Sequence, residues 1–312
     1  MAESPTIVSL LASATEIVCA LGLRDQLIGI SHECDHPEDI RALPVLSRPK
    51  LDPKQPGDVI DRSVRELVRD GLSVYEVDVD SLERLRPDLI VTQDHCEVCA
   101  VSPKDLEAAT CSVTLRGTVV CSLHAGSLAE VCNDFQRVAD AATVSARGGE
   151  LARRFRDRLE AVQRRVETRS RKPRVAFLEW LQPPMLAAGW MTELIEIAGG
   201  EPVVMDGGKP FATITWDQLA ELDPDIVVIS PCGYPVDQSL QELRTPGLQA
   251  NLARLTAISR EQIYVADGNS YFNRPGPRLV DSAELLAGLI WPDRCADLRS
   301  QYAEAWTRAR PG

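Results

Sequence analysis

The sequence predicts an α/β protein built from two similar lobes with parallel sheets, bridged by one long helix. Three observations predict it: a strand pattern that occurs twice, a strand–helix unit that occurs twice, and a helical stretch between the copies. The chain has 312 residues, of which 44% are hydrophobic, and this is enough for two cores of ordinary size. We expect an N-terminal lobe over 1–144, a connecting helix over 145–170 and a C-terminal lobe over 171–312.

The repeated strand pattern lies in residues 82–92 and 219–229. Both segments read as a helix end, a Pro-Asp turn and a buried strand. A second pair, residues 6–22 and 174–200, reads in each copy as a strand, a loop and a helix that ends at glycine. Short α/β units also resemble one another by chance, but two copies of one plan favour two lobes of one kind.

The first copy starts with a short buried strand over 6–11. Ser13, with Glu16 three residues later, has the spacing of a capping box, so we expect Ser13 to cap the following helix. Gly22 ends that helix, and residues 27–31 are the next strand. We expect this strand to lie beside the strand that ends before Gln93.

The connecting stretch contains two helical stripes. Apolar residues keep a helical period over 128–142, and a narrower stripe runs over 151–166 after a weak break. Residues 145–172 carry ten Lys or Arg and four Asp or Glu, so the polar face is wide. A partly exposed helix between two lobes explains this composition.

The charge and composition of the sequence exclude several classes of function. The formal net charge is −12, which argues against nucleic acid and against an anionic membrane surface as partners. The sequence has no apolar run long enough to span a membrane. The first residues lack the basic and apolar regions of a secretory signal, so we expect a cytoplasmic protein whose nine cysteines are mostly thiols.

Several segments resemble the cobalamin and siderophore solute-binding proteins of ABC transporters. Residues 7–10, 12–17 and 20–23 are similar to the opening of that family, and Cys34-Asp35-His36-Pro37 resembles its Cys-Asp-Tyr-Pro segment. Residues 86–90 and 198–200 match its strand start and the end of its C-lobe helix. The likeness extends over nearly the whole chain, in the family's order.

The resemblance implies the class III fold, in which two Rossmann-like lobes are bridged by one rigid helix and hold a ligand between them. It implies non-catalytic binding of cobalamin or a related corrinoid, by a carrier, receptor or sensor. The chain is similar to a cytosolic cobalamin-binding branch of the family. An ABC transporter or a corrinoid enzyme is then the expected partner, and a monomer the expected state.

Ligands of open α/β sheets bind beyond the carboxyl ends of the strands. Five loops qualify: 31–37, 93–102, 180–191, 230–235 and 268–278. The candidate ligand-binding residues lie in these loops or at the start of the first helix: Ser13, His32, Glu33, Cys34, Asp35, His95, Trp180, Trp190, Cys232, Tyr234, Tyr271, Phe272 and Arg274.

A cysteine and histidine set stands out in the first half. Cys34, Cys96 and Cys99, with His32 or His95 as a fourth ligand, have the ligand types of a zinc or soft-metal site. The Cys-x-x-Cys pair also suits a redox couple, and imidazole could ligate cobalt or haem iron. Reduced thiols that line a cleft or a core are the remaining interpretation.

Aromatic residues concentrate in the second half. Trp180, Trp190, Tyr234, Tyr271 and Phe272 offer the flat faces that a corrin or porphyrin needs, and Arg274 offers a donor for its rim. Core packing explains each ring equally well when it is taken alone, and Arg274 could serve its own loop. We predict that Trp190 and Tyr271 line one cleft between the lobes.

No catalytic motif accompanies these residues. The sequence has no Gly-x-Ser-x-Gly elbow, no phosphate-binding Walker loop and no Gly-x-Gly-x-x-Gly after a strand. We therefore expect a binding protein and no enzyme. The leading ligand is a corrinoid, and the alternatives are a metal-handling or thiol-redox protein and a binder of haem or a metal–siderophore.

Overall fold

The computed structural model describes residues 5–69, 74–93, 117–167, 171–204 and 212–309. The chain forms two compact units. The first consists of Met1–Gln55, Val59–Phe155 and Pro275–Pro277, and the second of Pro56–Asp58, Arg156–Arg274 and Arg278–Gly312. Within the described ranges, no helix combines the length and apolar character needed to cross a bilayer.

The described strands and helices alternate along most of the chain. The strands are β1 Ile7–Ser9, β2 Leu27–Ile30, β3 Ser47–Pro49, β4 Tyr75–Val77, β5 Leu89–Gln93, β6 Val119–Leu123, β7 Arg174–Leu181, β8 Pro184–Leu186, β9 Glu201–Pro202, β10 Ala212–Thr213, β11 Ile226–Ile229, β12 Ile263–Ala266 and β13 Trp306–Arg308. The helices are α1 Ala12–Ala20, α2 Gly57–Arg69, α3 Val79–Leu85, α4 Leu128–Ala141, α5 Ser145–Val166, α6 Trp190–Ile197, α7 Trp216–Leu222, α8 Val236–Leu243, α9 Pro246–Ala253, α10 Thr256–Ser259, α11 Leu279–Ile290 and α12 Ala296–Gln301.

The first unit contains a four-stranded parallel sheet in the order β2-β1-β5-β6. Its central strands are fully buried, as expected of strands covered on both faces. A separate antiparallel pair, β3 with β4, lies in the same unit. The expectation that β2 and β5 are neighbours is wrong, because β1 lies between them. Loops that leave these two strands therefore start about two strand spacings apart, near 10 Å.

The start of helix α1 differs from the predicted capping box. The helix begins at Ala12, its N-cap is Leu11, and no side chain caps it. Ser13 and Glu16 are both buried, so their side chains turn toward the interior and do not reach the free amides of the first turn. The predicted glycine end is confirmed, because Gly22 adopts a φ of +73° just after the helix.

A buried carboxylate fixes the loop between β6 and α4. Asp134 is 1% exposed, and its Oδ2 accepts hydrogen bonds from the backbone amides of His124 and Ala125, each at 3.1 Å. Arg137 donates to its other carboxylate oxygen. Ser127 caps α4 by accepting from the amide of Glu130 at 3.2 Å. Side chains of α4 thus satisfy backbone donors that the loop would otherwise leave unpaired.

Helix α5 has 22 residues and contains residues of both units. Its apolar positions, such as Phe155 and Val162, are buried while the intervening arginines are exposed. The wide polar face is partly neutralised, since Arg158 forms ion pairs with Asp281 and Glu284 of α11 at 2.9 and 2.8 Å. This helix is the long helix that the sequence predicts.

The second unit contains a seven-stranded sheet, ordered β10-β8-β7-β11-β12-β13, with β9 paired to β7. Strands β7, β9, β11 and β12 pair parallel with one another. The pairings of β8 with β7, of β10 with β8 and of β13 with β12 are antiparallel. The parallel sheet predicted for this lobe is therefore its centre, extended by antiparallel strands on both sides. Each unit thus has its own main sheet with parallel central strands, and this confirms the predicted two-lobed α/β fold.

The Pro-Asp repeat has the same structure in both units. The residue before each proline, Arg86 or Asp223, ends a helix in the left-handed region with φ of 45° and 42°. Asp88 then accepts a hydrogen bond from the amide of Thr6 at 2.9 Å, and Asp225 accepts one from the amide of Arg174 at 2.8 Å. Each aspartate fixes the residue at the start of the central strand, β1 or β7.

Candidate functional site

The carboxyl ends of three adjacent parallel strands form the candidate site of the second unit. Strands β7, β11 and β12 are neighbours in the sheet, so the segments that follow them start at one edge. The loops after β11 and β12 are bonded to each other: the amide of Gly233 donates to the carbonyl of Gly268 at 3.2 Å, and the amide of Gly268 donates to the carbonyl of Tyr234 at 2.9 Å.

Glycine at position 268 permits this close approach. A Cβ at Gly268 would lie 2.1 Å from the carbonyl oxygen of Pro231, so any other residue would push the two loops apart. The neighbouring Cys232 is exposed and its amide donates to the carbonyl of Glu179 at 3.1 Å. The thiol of Cys232 is therefore at the surface of the same edge.

Trp180 and Tyr234 form an edge-to-face pair at this edge. Their ring centroids are 5.3 Å apart and their planes make an angle of 63°, a favoured geometry for two aromatic rings. Trp180 belongs to β7, and β8 returns antiparallel beside it with Met185 opposite Trp180. The sequence predicted a loop over 180–191, but its first half is this hairpin.

A carboxyl group lies beneath the ring pair. Glu242 of α8 accepts a hydrogen bond from Gln182 Nε2 at 3.0 Å. Partial burial raises the pKa of Glu242 and Asp58 raises it further, whereas the hydrogen bond from Gln182 lowers it. Burial is also the main reason that the pKa of Tyr234 is raised, with the Glu242 charge acting in the same direction.

Trp190 and Phe272 are joined by a hydrogen bond. The indole Nε1 of Trp190 donates to the carbonyl of Phe272 at 2.9 Å. The Phe272 ring itself is fully buried and packs against Phe177 at 5.0 Å. The prediction that the Phe272 ring offers a ligand-binding face is therefore wrong in this structure, because the ring is part of the core.

Tyr271 lies between two other side chains. The Arg278 guanidinium carbon is 5.1 Å from the centroid of the Tyr271 ring, within cation–π range, and the Tyr302 ring is 5.9 Å away on another side. Burial raises the pKa of Tyr271 while Arg278 lowers it. Arg274, predicted as a rim donor, is 8% exposed and its Nη2 donates to Asn269 Oδ1 at 3.3 Å.

In the first unit, His32 follows β2 and is held by Ser47. The imidazole Nδ1 lies 2.8 Å from Ser47 Oγ, and the His32 amide donates to the same oxygen at 3.2 Å. The ring lies 5.2 Å from that of Tyr75, whose hydroxyl donates to Glu33 Oε1 at 3.0 Å. The structure thus brings His32 and Glu33 together with two residues that the sequence did not single out.

The imidazole of His32 should make stability depend on pH. Burial lowers the pKa of His32 from its usual 6.5, so the unfolded chain binds more protons between the folded-state value and 6.5. We expect the free energy of unfolding to be lost progressively as pH falls below 6.5. Urea titrations across this range should show a smaller slope of the unfolding free energy against pH for His32→Gln than for the wild-type protein.

Cys34 is a buried thiol within a chain of hydrogen bonds. Thr15 Oγ1 donates to Ser9 Oγ at 2.8 Å, and Ser9 Oγ donates to the carbonyl of Leu11. The thiol extends this chain, since Cys34 Sγ lies 3.0 Å from Thr15 Oγ1 and either atom could be the donor.

The remaining predicted ligands do not form a metal centre in the described ranges. His95, Cys96 and Cys99 lie outside them, so their predicted approach to Cys34 stays untested. Among the residues that the structure describes, no three His, Cys, Asp or Glu side chains could together hold a metal ion. Zinc as a cofactor therefore has no support. Asp35 is half-buried, and Ser13 is buried with no hydrogen-bond partner for its hydroxyl among described atoms.

The sequence did not identify four residues of these two clusters: Ser47, Tyr75, Gln182 and Glu242. Tyr75 lies in a short strand in which apolar and charged residues alternate. This pattern could have indicated that Tyr75 lies on the less exposed face of the strand. Glu242 lies in an ordinary amphipathic helix, and nothing in its local sequence distinguishes it from an exposed glutamate. Only the packing of α8 against the strand ends reveals its burial.

Residues 7–269 match the family model described as periplasmic binding protein. The chain is 23% identical over 287 residues to a vitamin B12-binding protein of Vibrio parahaemolyticus, covering 90% of this chain and 88% of that protein. The structure is similar to the periplasmic vitamin B12 binding protein of Vibrio cholerae, with a TM-score of 0.66, 19% identity and coverage of 96% of this chain and 99% of that one. It is also similar to a periplasmic heme binding protein from Pseudomonas aeruginosa, with a TM-score of 0.71, 20% identity and coverage of 93% and 94%.

These findings correct one expectation. A cytoplasmic location is wrong, because the matching family and both solved structures are periplasmic. The expectation depended on the first few residues of the sequence, which do not decide the compartment. The role of the protein is to bind a solute for transport, and it is not an enzyme. The chain belongs to the periplasmic binding protein family, and its fold is the class III fold of that family.

Proposed function

We propose that the protein binds cobalamin or a related corrinoid as its transported ligand. The observation that carries the proposal is the concentration of aromatic side chains at the carboxyl ends of β7, β11 and β12. Trp180, Trp190 and Tyr271 lie on segments at this edge, and the buried Tyr234 packs against Trp180. A flat macrocycle needs such faces, with a few polar groups for its rim.

The fixed orientation of these rings supports the proposal. Trp190 is held by its hydrogen bond to the Phe272 carbonyl, and Trp180 by its contact with Tyr234. Rings that are already ordered lose little conformational entropy when a ligand binds. Polar side chains at the same edge, including Gln182 and Asn269, suit the amide groups at the rim of a corrin. We further propose an ABC transporter as the partner.

A haem is the second candidate, and His32 is the observation that favours it. Burial lowers the pKa of the His32 imidazole, so the ring is neutral at neutral pH. Because Nδ1 faces Ser47, Nε2 is the nitrogen that would remain for an axial metal bond.

Absorbance titrations distinguish these ligands. Purified protein is titrated with cyanocobalamin, with dicyanocobinamide and with hemin, and the visible spectra are recorded before and after gel filtration. We expect cyanocobalamin and dicyanocobinamide to elute with the protein at one per chain. Retention of hemin with no retention of either corrinoid would replace the corrinoid proposal with the haem one, and retention of none would contradict both.

A further inference from the structure

The segment that carries Tyr271 is fastened to the first turn of helix α11. The buried hydroxyl oxygen of Ser282 accepts a hydrogen bond from the amide of Phe272 at 3.0 Å. Arg278 is the N-cap residue of α11, and its guanidinium carbon lies 5.1 Å from the centroid of the Tyr271 ring. The backbone beside Tyr271 is therefore fixed, and the same helix supplies a first contact to the ring.

Tyr302, which follows α12, makes the second contact to this ring. The centroids of Tyr302 and Tyr271 are 5.9 Å apart and their planes make an angle of 83°, the edge-to-face arrangement that aromatic pairs favour. Tyr302 is 8% exposed, whereas Tyr271 is only partly buried. The more deeply buried ring thus supports the other, and part of the Tyr271 ring is left accessible to a ligand.

A carboxylate of α11 holds the hydroxyl of Tyr302. The hydroxyl donates to Glu284 Oε2 at 2.6 Å, within the range of charge-assisted bonds, which are about twice as strong as bonds between neutral groups. Arg158 of α5 donates to the other oxygen of Glu284 at 2.8 Å and to Asp281 Oδ1 at 2.9 Å. Because both oxygens of Glu284 are engaged, its carboxylate cannot turn away from Tyr302 without breaking a bond.

The hydroxyl distinguishes Tyr302 from a phenylalanine that would supply the same ring. Edge-to-face contact alone is a weak restraint, since it contributes about 0.5–1.5 kcal/mol. The hydrogen bond to Glu284 fixes where the far end of the Tyr302 ring lies, and hence the surface against which Tyr271 packs.

We infer that Tyr302 is a positioning residue for the candidate site. Its anchored ring, together with Arg278, fixes the orientation of the Tyr271 ring and thereby the ring face that is offered to the ligand. The inference rests on the proposed function, since this orientation matters for binding only if a flat ligand lies against Tyr271. The ordering of Tyr271 is a property of the free protein and is measurable without a ligand.

Fluorine NMR of the protein labelled with 3-fluorotyrosine measures that ordering. The Tyr271 signal is the one that disappears in Tyr271→Phe. We expect Tyr302→Phe, which keeps the neighbouring ring but loses the bond to Glu284, to move this signal toward the chemical shift of free 3-fluorotyrosine. The matched control Tyr264→Phe removes the hydroxyl of another buried tyrosine, which donates to Gln262 Oε1 at 3.0 Å. The control should leave the Tyr271 signal in place.

Titration with cyanocobalamin measures the consequence for binding. We expect Tyr302→Leu to weaken binding about fivefold and Tyr302→Phe about twofold, with Tyr264→Phe equal to wild type. In the Tyr271→Leu background the same substitutions at position 302 should have no further effect, because the ring that they position is gone. A residue that acts only on overall stability would weaken binding equally in both backgrounds.

The outcomes separate this inference from the proposed function. Equal losses of affinity in the two backgrounds, or a Tyr271 signal that Tyr302→Phe leaves in place, overturn the inference. If Tyr302→Leu does not fold, Tyr302→Phe decides both measurements. A wild-type protein that binds no cyanocobalamin contradicts the proposed function, and the Tyr271 signal of Tyr302→Phe still decides whether Tyr302 orders the ring.

Discussion

Replacing Trp180 with leucine should weaken cyanocobalamin binding by about ten- to hundredfold, or about 1.4 to 2.8 kcal/mol, because a central aromatic anchor is lost. Leucine keeps an apolar side chain on β7 but has no flat face. The edge contact with Tyr234 disappears as well, and such a contact contributes about 0.5–1.5 kcal/mol. Isothermal titration calorimetry with cyanocobalamin measures the loss.

Trp291→Leu is the matched control. Trp291 follows the far end of α11 and its indole Nε1 lies beside Gly199, whereas α11 begins near the strand-end loops. We expect the control to bind cyanocobalamin as wild type does, even if its melting temperature is lower. Equal affinities for Trp180→Leu and the wild-type protein would remove Trp180 from the site.

Asp134→Ala should lower the free energy of unfolding by about 2–4 kcal/mol, because two backbone amides and a guanidinium lose their acceptor. The amides belong to His124 and Ala125, and the carboxylate that serves them is 1% exposed. Water cannot replace it without opening the loop. Urea denaturation measures the loss, and hydrogen exchange at the amides of His124 and Ala125 reports the local opening.

Two companion variants sharpen this prediction. Asp134→Asn keeps one acceptor oxygen, so it should lose less stability than the alanine variant. Asp140→Ala removes an exposed carboxylate from the same helix, one that accepts a hydrogen bond from Gln136, and should change stability by less than about 1 kcal/mol. A loss in Asp140→Ala as large as that in Asp134→Ala would show that helix α4, and not the loop, determines the effect.

The sequence predicted the strands that are apolar throughout. Residues 263–266 and the two Pro-Asp copies were placed correctly, because a buried run after a turn has few alternatives. The β8 strand was missed, since Pro183 and Pro184 resemble a loop and the pairing with β7 depends on a partner several residues away. The capping box at Ser13 failed for a related reason: its residue types are right, but packing turns both side chains inward.

The sequence could predict which residues belong to the candidate site, but not which contacts their side chains make. Trp180, Tyr234 and His32 were named because they lie at or just after the carboxyl ends of predicted strands, which is a rule about chain direction. Phe272 follows the same rule, and yet its ring is in the core beside Phe177. Phe272 also adopts a positive φ of 64°, a conformation that no local sequence pattern predicts.

In each unit the repeated Pro-Asp turn lies at the amino ends of the parallel strands, opposite the carboxyl ends where the candidate ligand-binding residues lie. Asp88 and Asp225 fix how the chain re-enters the sheet at the amino ends of the strands, so substitutions at the carboxyl ends leave that geometry intact. Substitutions in the loops at the carboxyl ends can therefore change the bound solute without changing the fold. Relatives named for vitamin B12 and for heme share this fold at 19% and 20% identity. The separation between the amino ends and the carboxyl ends of the strands is a physical reason why ligand specificity diverges faster than the fold.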